Sequence, residues 1–499
     1  MISLENCSVS LIDTLMVTGS NADQRKARGI RHSLGEILCI MIFGFLMLEN
    51  TYRGIYRLFK YNNENQEALK EVLELPHGIP SYSTLSRAMK TADPVILCIQ
   101  IADFFYQLVP HDPGMPDQIC VDGKTVRAAQ SKQKTGSNVY ILNSFSAGAQ
   151  LFLVQLRVGK KKQEGKEFEE NAAAILEGIY GTVTADSMST RKSILEIICR
   201  CGNDAVLPVK GNNKLLSSRI RSFIIKQIAK QPDNVDSYVD LNGHDEQEKP
   251  SMVITDPEFT FHEEDNTKYG DDQEYPLENL KLYNELFDHP ECKVNELNQI
   301  IIPECDPKNK DIIWIPFDGR WISMVKSHGR YERREAVLLT NDDIFGDEVK
   351  REEYAGWDSV QSIGFIRRFR GEFHHIPGGN GAQVLEVSVT LVPYVSINKL
   401  LSAKELNDKV RTHWNVETGH NVLDNLLYED RCTMHAGSAT ENCSWLRKVV
   451  FNVLSILRQI DPQIENSENG FKACAQKYCG SIPKIVKLLS NPFSALLNK

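Results

Sequence analysis

The sequence predicts an α/β protein, helical at both ends and strand-rich between. Three observations carry this. Leu34, Ile37, Leu38, Met41, Ile42 and Phe45 recur at helical spacing near the start. Short apolar, β-branched runs follow at Gln118–Val126, Val139–Ser146 and Leu151–Val158, parted by turn residues such as those at 147–150. From Ala403 onward helical spacing returns, with Val416, Val422, Leu423, Leu426 and Leu427 along one stripe.

A chain of 499 residues is too long for one core, so two to four domains are expected. Apolar content of 41% and charged content of 25% are those of a globular protein. The first residues lack the basic and apolar regions of a secretory leader. The most apolar run, Ile37–Leu48, is shorter than the ~20 residues a membrane span needs, so a buried helix and no membrane association are expected. Twelve cysteines include only a lone Cys-x-Cys at 199 and 201, which points to free thiols in a reducing cytosol rather than to disulfides or zinc. Net charge is −9, yet residues 231–275 alone carry 14 acids and 2 lysines, and the remainder sums to +3. Outside that segment the chain can offer basic surfaces to a polyanion.

Residues 1–112 read as a helical domain. Ser33 precedes the first periodic run as a cap. Arg25, Lys26, Arg28 and Arg31 form a basic arm beside it, and Pro80-Ser-Tyr-Ser83 opens a further helix. Such a unit is suited to gripping a DNA end. Residues 117–215 give three antiparallel strands, a helix near Phe168–Ile179, a strand at Thr182–Ala185, an amphipathic helix at Ser187–Cys201 and a strand at 205–210. That order is the order of a ribonuclease-H-like core. Residues 216–400 read as a β-rich insertion, with strands near Asp311–Pro316, Trp321–Val325, Glu335–Leu339 and Val384–Val392 and an acidic, loop-rich stretch at 231–275. The glycines of 374–382 follow no strand-to-helix phosphate pattern and mark a loop. Residues 401–460 supply the helices that complete the core. Residues 461–499 read as a basic tail, since 471–499 hold five lysines and no acid.

The chemistry starts from misplaced charge. Asp122 lies inside an apolar strand run, where a carboxylate is costly to bury unless it is paired or holds a metal. Asp186 stands at the end of the strand 182–185, and in a ribonuclease-H-like sheet these two strands are neighbours. A third acid from a later helix would complete an oxygen ligand set for Mg²⁺ or Mn²⁺, and Glu417 is the candidate. Two such cations serve phosphoryl transfer by activating one oxygen and stabilising the one that leaves. Lys124, Arg127, Lys210, Arg330, Arg333 and Arg334 are candidate phosphate contacts. Trp414, beside the glutamate, reads as a packed helix aromatic rather than a base-stacking platform.

These residues fall in blocks that resemble the DDE transposases of insertion sequences, most of all the ISAs1 family and its H-repeat-associated relatives. Val121-Asp-Gly-Lys-Thr-Val-Arg127 resembles I-D-G-K-T-x-R, and Val183-Thr-Ala-Asp-Ser-Met188 resembles T-x-D-A-M. The run 204–212 is similar to D-Y-x-x-x-V-K-G-N, and 326–334 to S-H-G-R-x-E-x-R. His413-Trp-Asn-Val-Glu417 resembles H-W-x-I-E, followed by Leu423-Asp424 and Glu429-Asp430. Gly78-Ile-Pro-Ser-Tyr-Ser-Thr84 is similar to the G-I-P-S-H-D-T of the helical domain that accompanies these enzymes. The resemblance spans roughly residues 25–460 and implies a catalytic, metal-holding triad of Asp122, Asp186 and Glu417. It also implies double-stranded DNA as partner (element ends and target), a homodimer that brings two ends together, and a bacterial cytosolic, nucleoid-associated setting. The activity implied is cleavage at element ends and joining of the 3′ ends to target DNA.

Two departures stand out. The run from Glu417 to Asp424 is one residue shorter than the family's, which turns the following helix face by about 100°. Gly419 replaces a better helix former, at ~1 kcal/mol if that helix interior is exposed. Two other readings share the acids: a catalytically decayed, DNA-binding relative, and a ribonuclease-H-like nuclease without strand transfer.

Overall fold

The computed structural model describes residues 2–5, 7–28, 30–110, 116–127, 139–159, 164–176, 180–214, 216–217, 220, 237–240, 293–294, 300–301, 320–327, 330–340, 357, 359–375, 383–398, 401–434, 436–465 and 470–498. The expected strand Asp311–Pro316, the loop 376–382 and all of the acidic stretch but 237–240 lie outside these residues. The chain divides into two units: Met1–Asn203 with Arg411–Lys499, and Asp204–Val410.

The first unit begins with six helices: α1 (Leu11–Ala22), α2 (Leu34–Leu46), α3 (Tyr52–Lys60), α4 (Asn63–Lys70), α5 (Tyr82–Thr91) and α6 (Pro94–Tyr106). Every residue of α2 is buried, so the helix is apolar all round. Ser33 and Glu36 form a capping box at its start. The Glu36 carboxylate also accepts the Leu75 N–H at 2.8 Å, which explains an acid in a buried helix. α1 and α2 touch at Gly19 and Gly35, where a Cβ on Gly19 would stand 2.1 Å from the Gly35 nitrogen.

Strands β1 (Asp117–Val126), β2 (Val139–Ser146) and β3 (Leu151–Val158) form the expected antiparallel meander. After α7 (Glu164–Leu176), β4 (Gly181–Ala185) lies parallel to β1, with Val121 opposite Ala185. The order within this unit is β3-β2-β1-β4. α8 (Lys192–Arg200) follows.

Helix α9 (Ala403–His413) carries the chain back into the first unit, followed by α10 (Asn415–Asn425) and α11 (Ala439–Ile460). α11 packs against β3, α2 and α5, and its residues from Ala439 to Leu457 are all buried. The N-terminal helices and the first four strands therefore share one unit.

The C-terminal stretch is not a tail. Residues 462–465, 470–478 and 482–489 form α12, α13 and α14, and Ile482, Ile485, Val486 and Leu489 of α14 are buried where it meets α4 and α2. Lys472, Lys477, Lys484 and Lys487 sit on the outer faces of these helices, a pattern that a count of charges does not show.

The second unit holds β5 (Asp204–Pro208), β6 (Ser237–Asp240), β9 (Arg320–Ser327), β10 (Arg330–Thr340), β11 (Ser362–His375) and β12 (Gln383–Ser396), ordered β5-β12-β11-β10-β9-β6. Neighbours are antiparallel except β6 with β9. A separate short pair joins β7 (Lys293–Val294) and β8 (Ile300–Ile301). The core of this unit gathers Val206, Ala336, Ile366, Leu401, Leu406 and Val410. One feature differs from the sequence expectation. Residues 237–240, inside the stretch read as loop, form a strand. The described cysteines are all free thiols.

Candidate active site

One face of β1 and its neighbours is covered by the α9–α10 segment. In a strand alternate residues share a face, so Gln118, Cys120, Asp122 and Lys124 point the same way. The Gln118 amide donates to Thr184 Oγ1 at 3.1 Å, and Thr184 Oγ1 meets His413 Nδ1 at 3.0 Å. Cys120 Sγ contacts the Thr412 carbonyl at 3.7 Å. The end of α9 is thus fixed to β4 two residues before Asp186.

The next helix is fixed to β1. His420 Nδ1 stands 3.4 Å from Asp122 Oδ2. Its Nε2 meets the Asn143 amide at 3.1 Å, and Asn143 is the cross-strand partner of Asp122. With the amide so oriented, Nε2 accepts and the proton sits on Nδ1, facing the carboxylate. The ring stacks on Phe152 at 5.9 Å between centroids and 15° between planes. Burial, with Lys124 and Lys448 adding to it, lowers the His420 pKa to about 3. His413 is lowered to about 4 by burial, against the opposing charge of Asp186. Both imidazoles are neutral at pH 7.

The predicted acids lie around this scaffold. Parallel register pairs Val121 with Ala185, so the next positions, Asp122 and Asp186, adjoin at the end of β4. Asp122 is half-buried and Asp186 exposed. The Asp186 carboxylate caps the short 3-10 turn Ser187–Ser189 through the Ser187 N–H at 2.6 Å. Glu417 is exposed on α10, one turn before His420 and on the same helix face. It therefore lies between His413, tied to β4, and His420, tied to β1. Asp122 and Asp186 thus follow register-paired positions of β1 and β4, and Glu417 lies on the helix that carries His420.

The donor set is entirely oxygen, which suits Mg²⁺ and Mn²⁺. Among the described residues no three Asp, Glu, His or Cys side chains converge closely enough to share an ion.

Beneath the site lies a buried ionic cluster that sequence reasoning missed. Lys124 Nζ meets Asp424 Oδ1 at 2.6 Å and Glu429 Oε2 at 2.7 Å. Glu429 Oε1 accepts from Ser444 Oγ at 2.6 Å and lies 3.8 Å from Lys448 Nζ. Burial opposes every one of these charges. The two lysines outweigh it at Glu429 and hold its carboxyl below the usual range, while Glu429 and Asp424 raise Lys124. Lys448 goes the other way: burial dominates and lowers it to about 8.

Two expected phosphate contacts are corrected by this burial. The Lys124 side chain is 8% exposed and held by two carboxylates, because it shares the covered face with Asp122. Arg334 is buried, its Nε donating to Asn407 Oδ1 at 2.9 Å. The Arg127 side chain is 77% exposed with its Nε 3.8 Å from Asp430, which also accepts the Arg127 backbone N–H at 3.1 Å, and Lys210 is half-buried at the start of a 3-10 turn. Arg330 and Arg333 lie on β10, opposite Ser327 and Met324. Trp414, expected to pack, is 42% exposed.

The departures at 417–424 also resolve. α10 runs to Asn425 and Asp424 finds Lys124. Gly419 is buried, not exposed: a Cβ there would stand 2.8 Å from the Phe152 ring, so glycine lets α10 lie close on β3.

Comparison with known proteins agrees with this architecture. The Transposase DDE domain family model matches residues 113–453, and the DDE_Tnp_1-associated model matches residues 20–104. The chain belongs to the DDE transposase family. It is 21% identical over 439 residues to the "H repeat-associated putative transposase YhhI" of Escherichia coli K12, covering 87% of this chain and 88% of that one. YbfL of the same strain is 23% identical over 439 residues, with coverage of 87% and 88%. The H repeat-associated YbfD is 26% identical over 251 residues, 48% of this chain and 94% of its own. No helix among the described residues is long and apolar enough to cross a membrane.

Proposed function

We propose that this chain is an ISAs1-type DNA transposase that cleaves phosphodiester bonds at insertion-sequence ends and joins the freed 3′ ends to target DNA. The observation that carries the reading is the double anchoring of Glu417. His413, the last residue of α9, bonds Thr184 two residues before Asp186, and His420 on α10 reaches Asp122, so the segment bearing Glu417 is flanked by contacts to the two strands that lead to the other acids. The β3-β2-β1-β4 order and directions support a ribonuclease-H-like core, with the strand-rich second unit as its insertion.

Asp122, Asp186 and Glu417 are the groups that would hold Mg²⁺ or Mn²⁺. When bound, a pair of such cations supplies the activated oxygen and stabilises the departing one. The chain's own work is placement. Neutral His420 donates to Asp122 and fixes its orientation, as outer-shell partners of metal ligands do. Phe152 and Gly419 set the distance of α10 from the sheet. Arg127, Lys210, Arg330 and Arg333 remain proposed phosphate contacts on duplex DNA. A dimer follows if two ends are processed together.

The test uses labelled duplexes from the DNA flanking the coding sequence, with Mg²⁺. The parent is expected to nick them and Asp122→Asn to bind without nicking. Nicking by the variant at the parent's rate would remove the assignment. Ends cut but never joined to a target duplex would favour a nuclease.

A further inference from the structure

We propose that the exposed face formed by α3 and α5 is a docking surface for the sugar–phosphate backbone of duplex DNA. The proposal rests on the transposase reading and adds a surface that lies in the N-terminal helices, away from the three acids in sequence and element.

Charge comes first. α3 carries Arg53, Arg57 and Lys60, α5 carries Arg87 and Lys90, and neither helix contains an acid. In a chain of net charge −9, two packed helices with five cations and no carboxylate are a local reversal of sign. Among the described residues, no ion pair engages any of these five side chains. Elsewhere in the same unit Arg25, Lys124, Arg157, Lys166, Arg191, Arg200 and Lys477 each have a carboxylate partner.

Geometry comes second. Ile55 and Phe59 of α3 and Leu85, Ala88 and Met89 of α5 are buried, so each helix turns one side inward. Arg53, Arg57 and Lys60 recur at helical spacing on the outward side of α3. That stripe is ~10 Å long, the rise of about three phosphates along one strand. Three tyrosines join the cations. Tyr56 meets Tyr61 and Tyr82 edge to face, each at 6.3 Å, and the Arg53 guanidinium lies 5.1 Å over the Tyr82 ring. Tyr61 is 76% exposed and Tyr82 43%. Exposed aromatic rings fixed by a guanidinium hold their hydroxyls in place at little entropic cost. Tyr, Ser and Thr hydroxyls together with Arg and Lys are the donors that contact nucleic-acid backbones. Ser81, Ser83 and Thr84 supply further hydroxyls at the start of α5.

The cations and hydroxyls of this face are backbone-contacting groups, so it positions DNA rather than choosing its sequence. The experiment compares the full chain with an Arg53→Gln, Arg57→Gln, Lys60→Gln variant and with a charge-matched control, Lys166→Gln, Arg200→Gln, Lys404→Gln. Binding is measured to a labelled random-sequence 30-base-pair duplex, and to one of its single strands, across a salt series, with melting temperature as the check on folding. The α3 variant is expected to bind the duplex at least tenfold more weakly than parent and control, with a salt slope shallower by ~2.7, about 0.9 per lost phosphate contact. Equal affinity and slope for parent and α3 variant would overturn the surface. So would a loss confined to the single strand. If the parent itself binds no DNA, the transposase reading falls with it. If the parent binds and loses affinity as expected but never nicks, only the catalytic assignment falls.

Discussion

His420 shows how a residue with no charge at neutral pH can matter to a site made of charge. Its ring is held between Phe152 and Asn143, with Nδ1 toward Asp122. A His420→Phe change keeps the stacking and removes the donor. Metal-dependent nicking is expected to fall about 10–100-fold while the melting temperature moves little; an unchanged rate would show that Asp122 needs no orienting partner. Glu429 makes the complementary case. Removing its charge leaves Lys124 and Lys448 buried against Asp424 alone, and Glu429→Gln is expected to cost about 3–5 kcal/mol at pH 7 in chemical denaturation. The folded pKa of Glu429 is depressed below its ordinary ~4.3, so its stabilisation is present above that value and lost as pH falls through the folded pKa. The gap between parent and variant should therefore narrow below about pH 4, and a constant gap would mean that the carboxylate charge is not what stabilises. Asp122 and Asp186 stand out in the sequence because each is an acid in or just after an apolar strand run. Lys124 was misread, although its position two residues after Asp122 assigns it to the same face. What covers that face, Asp424 and Glu429, lies some three hundred residues away, and sequence spacing carries no signal of it.

At the scale of elements, α10 decides whether the site exists. Its sequence looked damaged, with a glycine and a missing residue between Glu417 and Asp424. The structure gives the glycine a reason: at 419 any Cβ meets the Phe152 ring at 2.8 Å. A Gly419→Ala protein must push α10 outward or turn Phe152, at about 1–3 kcal/mol for overpacking. Because His420 is the next residue, nicking should fall in parallel with the lost stability, and an Ala variant as stable and active as the parent would show that α10 tolerates displacement. The helices and strands of this region were legible from periodicity, since α2 and β1–β3 follow their apolar patterns closely. The limits of the reading appear where contact, not pattern, sets the outcome. Gly419 looked exposed because one helix was considered without the strand beneath it.

For the whole molecule, the sequence suggested a helical region and a core that is interrupted by a strand-rich insertion and completed by later helices, and the contacts divide the chain into two units. The N-terminal helices, the first four strands and the last helices form one unit, and residues 204–410 form another. The final thirty or so residues looked like a charged tail because lysines outnumber acids there, yet Ile482, Ile485, Val486 and Leu489 bury an apolar face against α4 and α2. A net-charge count ignores such spacing, whereas a search for helical period finds it. The family match covers both the helical region and the DDE region, so the chain carries its parts in the expected order. What holds the account together is one claim: Asp122, Asp186 and Glu417, from β1, the end of β4 and α10, act as a single ligand set. Titration of Mn²⁺ into the full chain, followed by electron paramagnetic resonance, tests it directly. Asp122→Asn, Asp186→Asn and Glu417→Gln should each weaken Mn²⁺ binding by about tenfold or more relative to the parent. Mn²⁺ affinity unchanged in Glu417→Gln, with the protein folded, would contradict it.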